Sequence, residues 1–394
     1  MANIIKIVKG NSYDSFNELK KYLTTVHKMV IKESEDLFLV TSGSEDIIAT
    51  INGIEKDITS EANGIIFNKK TMNVVCYSFD KVEDLNEDDK LCISSIEKFE
   101  EGTYIRLYYY DDKWVCSTLK TIDCSKTFIP MNKNTKKDEI RCNNYTKLFM
   151  KIANQYIDFQ LLQKCNTYSF VLKHEENRCL IKHEGEPELI YNGYCNNDTL
   201  ESFFHDDVKN LLLKTPVSYS NIIKNLSCPI RNPISLHTYD FDSIKDEIEN
   251  KNEMSEKGYI IYIMKNGIEE KKKMIYKNYT VIQTVRGTNP NIYIRYLELN
   301  EEERIKLACI FKDYDFNKIE NDIVMKTIEI FNVYKMVFMF REINLDNVNY
   351  RIKKSLIQLH AYFLRTRNVI TYEMVYNKLT QLRAPTLAWV LEWI

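Results

Sequence analysis

Residues 97–103 read Glu97-Lys98-Phe99-Glu100-Glu101-Gly102-Thr103, and the chain runs on through Tyr104-Ile105-Arg106-Leu107-Tyr108-Tyr109-Tyr110 to Trp114. An acidic stretch ending in Gly-Thr ahead of an aromatic run is turn chemistry followed by a strand. Period-2 apolar alternation covers Gly64 to Tyr110 and returns from Tyr168 to Tyr194. That pattern favours antiparallel sheets. Between them, Tyr145, Leu148, Phe149, Ile152, Tyr156 and Phe159 fall at helical spacing, and Lys133 to Lys137 reads as an exposed loop.

The order of the motifs carries more than any one of them. Upstream lie Ala62-Asn63-Gly64-Ile65-Ile66-Phe67 and Val74-Val75-Cys76-Tyr77-Ser78-Phe79-Asp80-Lys81. Downstream come Trp114 to Lys120, Tyr168-Ser169-Phe170-Val171-Leu172, Asn177-Arg178, Glu256-Lys257-Gly258-Tyr259 and Lys273-Met274-Ile275-Tyr276. In this order and spacing the chain resembles the bacteriophage-type ATP-dependent RNA ligases of the covalent nucleotidyltransferase superfamily, over residues 60–300.

The resemblance implies a fold and a site. The fold is α+β, a nucleotidyltransferase domain of antiparallel sheets with flanking helices, followed by an all-helical C-terminal domain. In the family a lysine three residues before the motif glycine attacks the α-phosphate of ATP; that position here is Phe99. Lys98 is adjacent, and a local bulge would be needed to bring it to the same place. Four further positions depart from the family: Asn63 stands for an arginine, Val171 for a glutamate, Lys257 for the glutamate before the glycine, and Ile275 for a lysine. Glu256, one place early, is the candidate metal ligand. The retained positions Glu101, Gly102, Arg106, Lys120 and Lys273 are implied nucleotide or phosphate contacts. Each also has a plain reading, Glu101 as a turn residue and Lys120 and Lys273 as solvated strand lysines.

Composition sets bounds. The length of 394 residues suits two or three domains, and we expect a segment of 1–58 packed on a ligase-like domain of 59–299, then a helical domain of 300–394. The first segment should hold a helix from Ser12 to Val26 and strands at Leu37 to Thr41 and Ile47 to Ile54. A net charge of −2 argues against a globally basic nucleic-acid coat, so any RNA surface is local. The best local candidates are Lys120 to Arg141 and the last third, with Arg351, Lys353, Lys354, Arg365 and Arg367. Ten scattered cysteines without Cys-x-x-Cys favour reduced thiols in a cytosolic setting, including a viral factory or virion. His27, His174, His183, His205, His237 and His360 form no cluster and read as surface or packing residues. No run approaches the roughly 18 apolar residues of a membrane span.

From Asn300 the pattern turns helical, with Glu301-Glu302-Glu303 opening a helix in accord with the macrodipole. Helical spacing continues over Asp322 to Glu342, Asn349 to Arg365 and Thr371 to Leu382. Arg286 to Asn291 reads as a turn before a strand over Ile292 to Leu299. The apolar end, Leu387 to Ile394, is either docked in the fold or a partner surface.

Three functions follow, in order of preference. The first is a catalytically degenerate RNA-ligase-like protein that binds RNA, nucleotide or a protein partner through its retained cleft, with no cofactor. The second is an active ATP- and Mg-dependent RNA ligase using Lys98 as a register-shifted nucleophile. The third is a structural subunit of a viral or transcription assembly. The candidate partners are RNA and, through the helical domain, a protein; no membrane is expected.

Overall fold

The computed structural model describes residues 3–10, 15–43, 47–51, 54–127, 144–178, 180–183, 185–204, 229–236, 241–250, 256–265, 267–287, 289 and 291–393. The loop expected over Lys133 to Lys137, and His205 and His237, lie outside them. The chain divides into two units, residues 1–129 with 134–280, and residues 130–133 with 281–394.

The first unit opens with α1 (Asn3–Gly10) and α2 (Phe16–Thr25). Ser15 starts α2 by accepting a hydrogen bond from the Glu18 amide, which satisfies one of the donors a helix start leaves open. These helices bury Ile4, Ile5, Val8, Leu19 and Leu23 against a sheet of β1 (Val30–Glu33), β2 (Leu37–Thr41), β5 (Asn63–Asn68) and β6 (Val74–Cys76), in that order. The strand expected from Ile47 to Ile54 is a hairpin, β3 (Ile48–Ile51) with β4 (Ile54–Asp57).

A larger sheet holds the aromatic strand of the opening motif. It runs β10 (Lys113–Ser117), β9 (Thr103–Tyr110), β11 (Asn166–Lys173), β12 (Glu188–Asn196) and β13 (Ser202–Phe203), with the short β14 (Ile230–Arg231) parallel to β12. Helix α3 (Tyr145–Tyr156), capped by Asn144, lays Leu148, Phe149, Ile152 and Ala153 on Ile105, Leu107, Phe170 and Tyr191. The third sheet runs β7 (Glu83–Asp84), β16 (Ile268–Ile275), β15 (Gly258–Lys265) and β8 (Ile93–Lys98). Helix α4 (Phe241–Asn250) precedes β15, and α5 (Lys277–Arg286) follows β16.

The second unit is helical: α6 (Ile292–Glu298), α7 (Glu301–Ile310), α8 (Asn317–Tyr334), α9 (Tyr350–Thr366), α10 (Tyr372–Thr380) and α11 (Ala384–Val390). The strand expected over Ile292 to Leu299 is therefore a helix. Its β-branched composition suggested a strand, but the Asn291 carboxamide accepts from the amides of Tyr293 and Ile294 and fixes a helical start, and Arg295 pairs with Glu298 one turn on. Asn300 and Glu303 form a reciprocal capping box at α7. The apolar end is docked: Leu387, Ala388, Val390 and Leu391 are buried, and the Trp393 indole donates to Asp322 at 3.0 Å. Among the described residues no helix is long and apolar enough to cross a membrane.

One lysine of the third sheet is held by rings. The Lys271 ammonium lies 4.2 Å from the centroids of both Phe79 and Phe204 and 5.3 Å from that of Tyr262, and burial pushes its pKa down to about 8. Between that value and the ordinary 10.5 the unfolded chain holds a proton that the folded chain does not. Lys271 therefore makes stability rise with pH across this window, and below it the penalty is constant. Urea unfolding of wild type and Lys271→Leu at pH 7.5, 9 and 10 checks this: the wild type should gain on the variant as pH rises, and a flat difference would refute it.

Candidate functional site

The opening motif lies at a junction of strands. β8 pairs antiparallel with β15, placing Lys98 opposite Tyr259 and Glu97 opposite Ile260, and the Phe99 amide donates to the Gly258 carbonyl at 2.9 Å. On its other side β8 meets the segment after β14, where the Lys98 amide donates to the Ile234 carbonyl. Two glycines beside this junction lie tight against other strands, Gly102 against β11 and Gly258 against β16. A Cβ on Gly102 would stand 2.5 Å from the Leu172 carbonyl oxygen, and one on Gly258, at φ +144, would stand 2.1 Å from that of Met274. Both distances are far inside van der Waals contact, so each motif glycine has a steric reason to be glycine.

A cavity of about 250 Å³ opens at this junction. Its wall takes Lys98 to Gly102 from the turn, Lys173, His174 and Asn177 from the end of β11 onward, Ile181 to His183, Arg231, Ile234, and Glu256 to Gly258. Lys98, Lys173, Lys182, Lys257 and Arg231 face Glu100, Glu101 and Glu256. Cations thus outnumber carboxylates along the wall, with Arg231 also paired to Glu188 beside it, in a protein whose total charge is −2.

The three carboxylates are all engaged. Glu100 accepts from Lys173 at 3.0 Å and from Arg231 at 2.9 Å; burial pushes its carboxyl up, but the two cations outweigh it and hold the pKa below the ordinary value. Glu101 accepts from the amides of Leu180 and Ile181 at 2.7 and 2.8 Å and from the Tyr279 hydroxyl at 3.1 Å. Burial still raises its pKa against those bonds. Glu101 thus ties residues 180–181 and the start of α5 to the turn. Glu256 forms an ion pair with Lys98. Beside that pair the Lys257 ammonium sits 3.6 Å from the Phe99 ring centroid, a close cation–π contact.

The structure brings Lys98, Phe99, Glu101, Gly102, Glu256 and Lys257 to one cavity. It places the remaining candidates elsewhere. Arg106, implied as a phosphate contact, is fully buried and donates to the Gly64 and Thr118 carbonyls and to the hydroxyls of Ser117 and Ser78. Every stated partner is a neutral oxygen of the protein itself, and the guanidinium joins β5, β9 and β10. Lys120 is exposed, and its carbonyl accepts from Lys32. Lys273 lies 3.7 Å from Asp84 on the neighbouring strand. Asn63 donates to the Phe79 carbonyl, Val171 packs against Gly102 opposite Tyr104, and Ile275 is opposite Gly258.

Sequence reasoning missed Lys173, Lys182 and Arg231 as wall residues. Lys173 ends β11, so alternation along that strand could have pointed to it. Arg231 comes from a two-residue strand, too short to leave a periodic signal. As for a metal, Mg²⁺ is held by one or two carboxylates together with substrate phosphates. Here Glu100 and Glu256 already carry cations, and no group of three or more His, Cys, Asp or Glu able to hold an ion occurs among the described residues. To hold a metal ion, Glu100 and Glu256 would have to give up these cations.

No family model matches the chain. It is 22% identical over 228 residues to a protein of Autographa californica nuclear polyhedrosis virus assigned as a bifunctional polynucleotide kinase/RNA ligase, a match covering 53% of this chain and 29% of that one. The chain thus spans under a third of that relative's length. Among solved structures, an archaeal ATP-dependent RNA ligase is similar over 81% of this chain and 76% of its own, with TM-score 0.44 and 9% identity. A protein from Aquifex aeolicus assigned as an ATP-dependent DNA ligase is similar over 90% and 81%, with TM-score 0.41 and 12% identity. Each of these is a likeness at low identity, to proteins assigned as RNA or DNA ligases.

Arg106→Met tests the structural role of the buried guanidinium. Each acceptor left without a donor costs roughly 1–3 kcal/mol, so the variant should lose on the order of 3 kcal/mol or more in denaturant unfolding, while the folded fraction keeps wild-type affinity for phosphate ligands.

Proposed function

We propose that the cavity receives the 5′-phosphate of an RNA end, in an RNA-ligase-like protein whose family nucleophile position is vacated. The observation that carries this reading is the cavity wall itself. Four lysines and an arginine converge on a space of about 250 Å³, and the aromatic ring of Phe99 stands where the family has its lysine. Phosphate held by several cations is charge-assisted hydrogen bonding, the stronger kind, and a ring beside it offers a base a stacking surface.

A specific observation favours a second reading, an active ATP-dependent ligase. Lys98 lies four residues before Gly102 instead of three, and Glu256 lies two before Gly258 instead of one. Both are displaced one place from their glycine on paired strands, and they meet in an ion pair. The residues occupying the vacated places, Phe99 and Lys257, meet each other as well. Two matched displacements support Lys98 as the amine of this site. As an ammonium in an ion pair Lys98 has no lone pair to offer, so this reading also requires the proton to leave before attack on phosphorus.

Binding of labelled single-stranded RNA bearing 5′-phosphate or 5′-hydroxyl, followed by intact-protein mass after incubation with ATP and Mg²⁺ or Mn²⁺, tests both readings. The first expects at least a tenfold preference for the 5′-phosphate that falls in Lys173→Gln and Arg231→Gln, without an adduct. Equal binding of the two ends refutes it. An AMP adduct that maps to Lys98 and disappears in Lys98→Ala establishes the second reading.

A further inference from the structure

We propose that the exposed face of α9 in the helical unit docks the phosphate backbone of single-stranded nucleic acid, independently of the cavity. Over residues 350–367 the sequence carries Arg351, Lys353, Lys354, Arg365 and Arg367 and no acidic residue. Helix stability does not account for all of them. Arg365 and Arg367 end the helix, where the macrodipole favours cations, but Lys354, the fifth residue of a helix that starts at Tyr350, lies beyond the reach of either end and draws no such support.

Structural partners account for only two of the five. Arg351 donates to the Trp389 carbonyl, and Lys353 pairs with Asp346. Lys354, Arg365 and Arg367 are exposed, and none of the three is in an ion pair among the described residues. Lys354 and Arg365 are eleven residues apart, which at about 100° and 1.5 Å per residue puts them within roughly 20° of one face and about 16 Å apart along it. Arg367 does not share that face: it is the exposed cation at the helix end, where the chain leaves in the left-handed conformation at φ +60.

Between the cations that face exposes Gln358 and Ala361, and beside it, roughly 60–80° around the helix from Lys354, Ile357 at 48% and Leu364 at 51% form an exposed apolar strip. Cations spaced along an apolar strip fit a strand whose phosphates and unpaired bases are both accessible. A duplex would present its phosphates and leave the strip uncovered. Charge therefore selects a polyanion, and the apolar strip selects a single strand.

The test uses the full chain and a labelled 20-nucleotide single-stranded RNA with a 5′-hydroxyl, which keeps the cavity proposal out of the readout. The triple variant Lys354→Glu/Arg365→Glu/Arg367→Glu should bind at least tenfold more weakly. At about 0.7 per phosphate contact on single strands, its slope of log affinity against log salt should fall by about 2. The neutral triple Lys354→Gln/Arg365→Gln/Arg367→Gln should show a smaller loss in the same direction, and a far-UV spectrum matching wild type certifies the fold of each. Unchanged affinity and slope in a folded variant overturns the proposal. So does unchanged RNA binding accompanied by lost binding of polyglutamate, which assigns the face to an acidic protein. Repeating the titration with 5′-phosphorylated RNA separates the two claims, because the end preference belongs to the cavity and the salt slope to the helix.

Discussion

The antiparallel pairing of β8 with β15 is the constraint on which the candidate site depends. It sets the ends of two strands side by side, each next to a glycine that lies against a neighbouring strand's carbonyl. With the register fixed by the Phe99 to Gly258 hydrogen bond, the side chains just outside the ladder have little choice of neighbour. Lys98 meets Glu256, and Phe99 meets Lys257. A change of one residue in either strand alone would send its side chains to the opposite face. Equal displacement in both keeps opposite charges together and leaves a ring under an ammonium instead of a buried clash.

Two acidic and basic positions that the resemblance implies as ligand contacts are tied into the protein. Glu101 accepts from two amides and a hydroxyl, and Arg106 donates to carbonyls and hydroxyls across three strands. Leaving such groups without partners in the interior is far more costly than exposing them, so each supports the architecture around the cavity. The cations at the cavity wall differ in kind. Lys173 and Arg231 share Glu100, and Arg231 also reaches Glu188 at 3.3 Å, so these cations sit at the wall in a carboxylate-bridged cluster with donors left to offer an anion.

Much of this was legible in the sequence. Period-2 alternation located the strands that bear Gly64, Tyr104 and Tyr168, and helical spacing with its caps located α3 and the helices after Asn300. The strand expected over Ile292 to Leu299 failed because one side chain, Asn291, satisfies two amides and starts a helix in a β-branched segment. At the site, the resemblance to the ligase motifs, and not spacing by itself, pointed to Lys98, Phe99, Glu256 and Lys257. It could not show that Arg106, Lys120 and Lys273 would lie away from them, because strand alternation gives a face and not the sheet opposite it. Arg231 was invisible for another reason: it reaches the cavity through β14, which pairs with β12 some forty residues earlier.

The most direct measurement is a crystal structure of the chain grown with a 5′-phosphorylated RNA dinucleotide. The account places the terminal phosphate in the cavity, within hydrogen-bond distance of Lys173, Arg231 or Lys98, with the first base against the Phe99 ring. A phosphate bound on the sheet surfaces near Lys120 or Lys273, with the cavity at the ends of β8 and β15 empty, would contradict it.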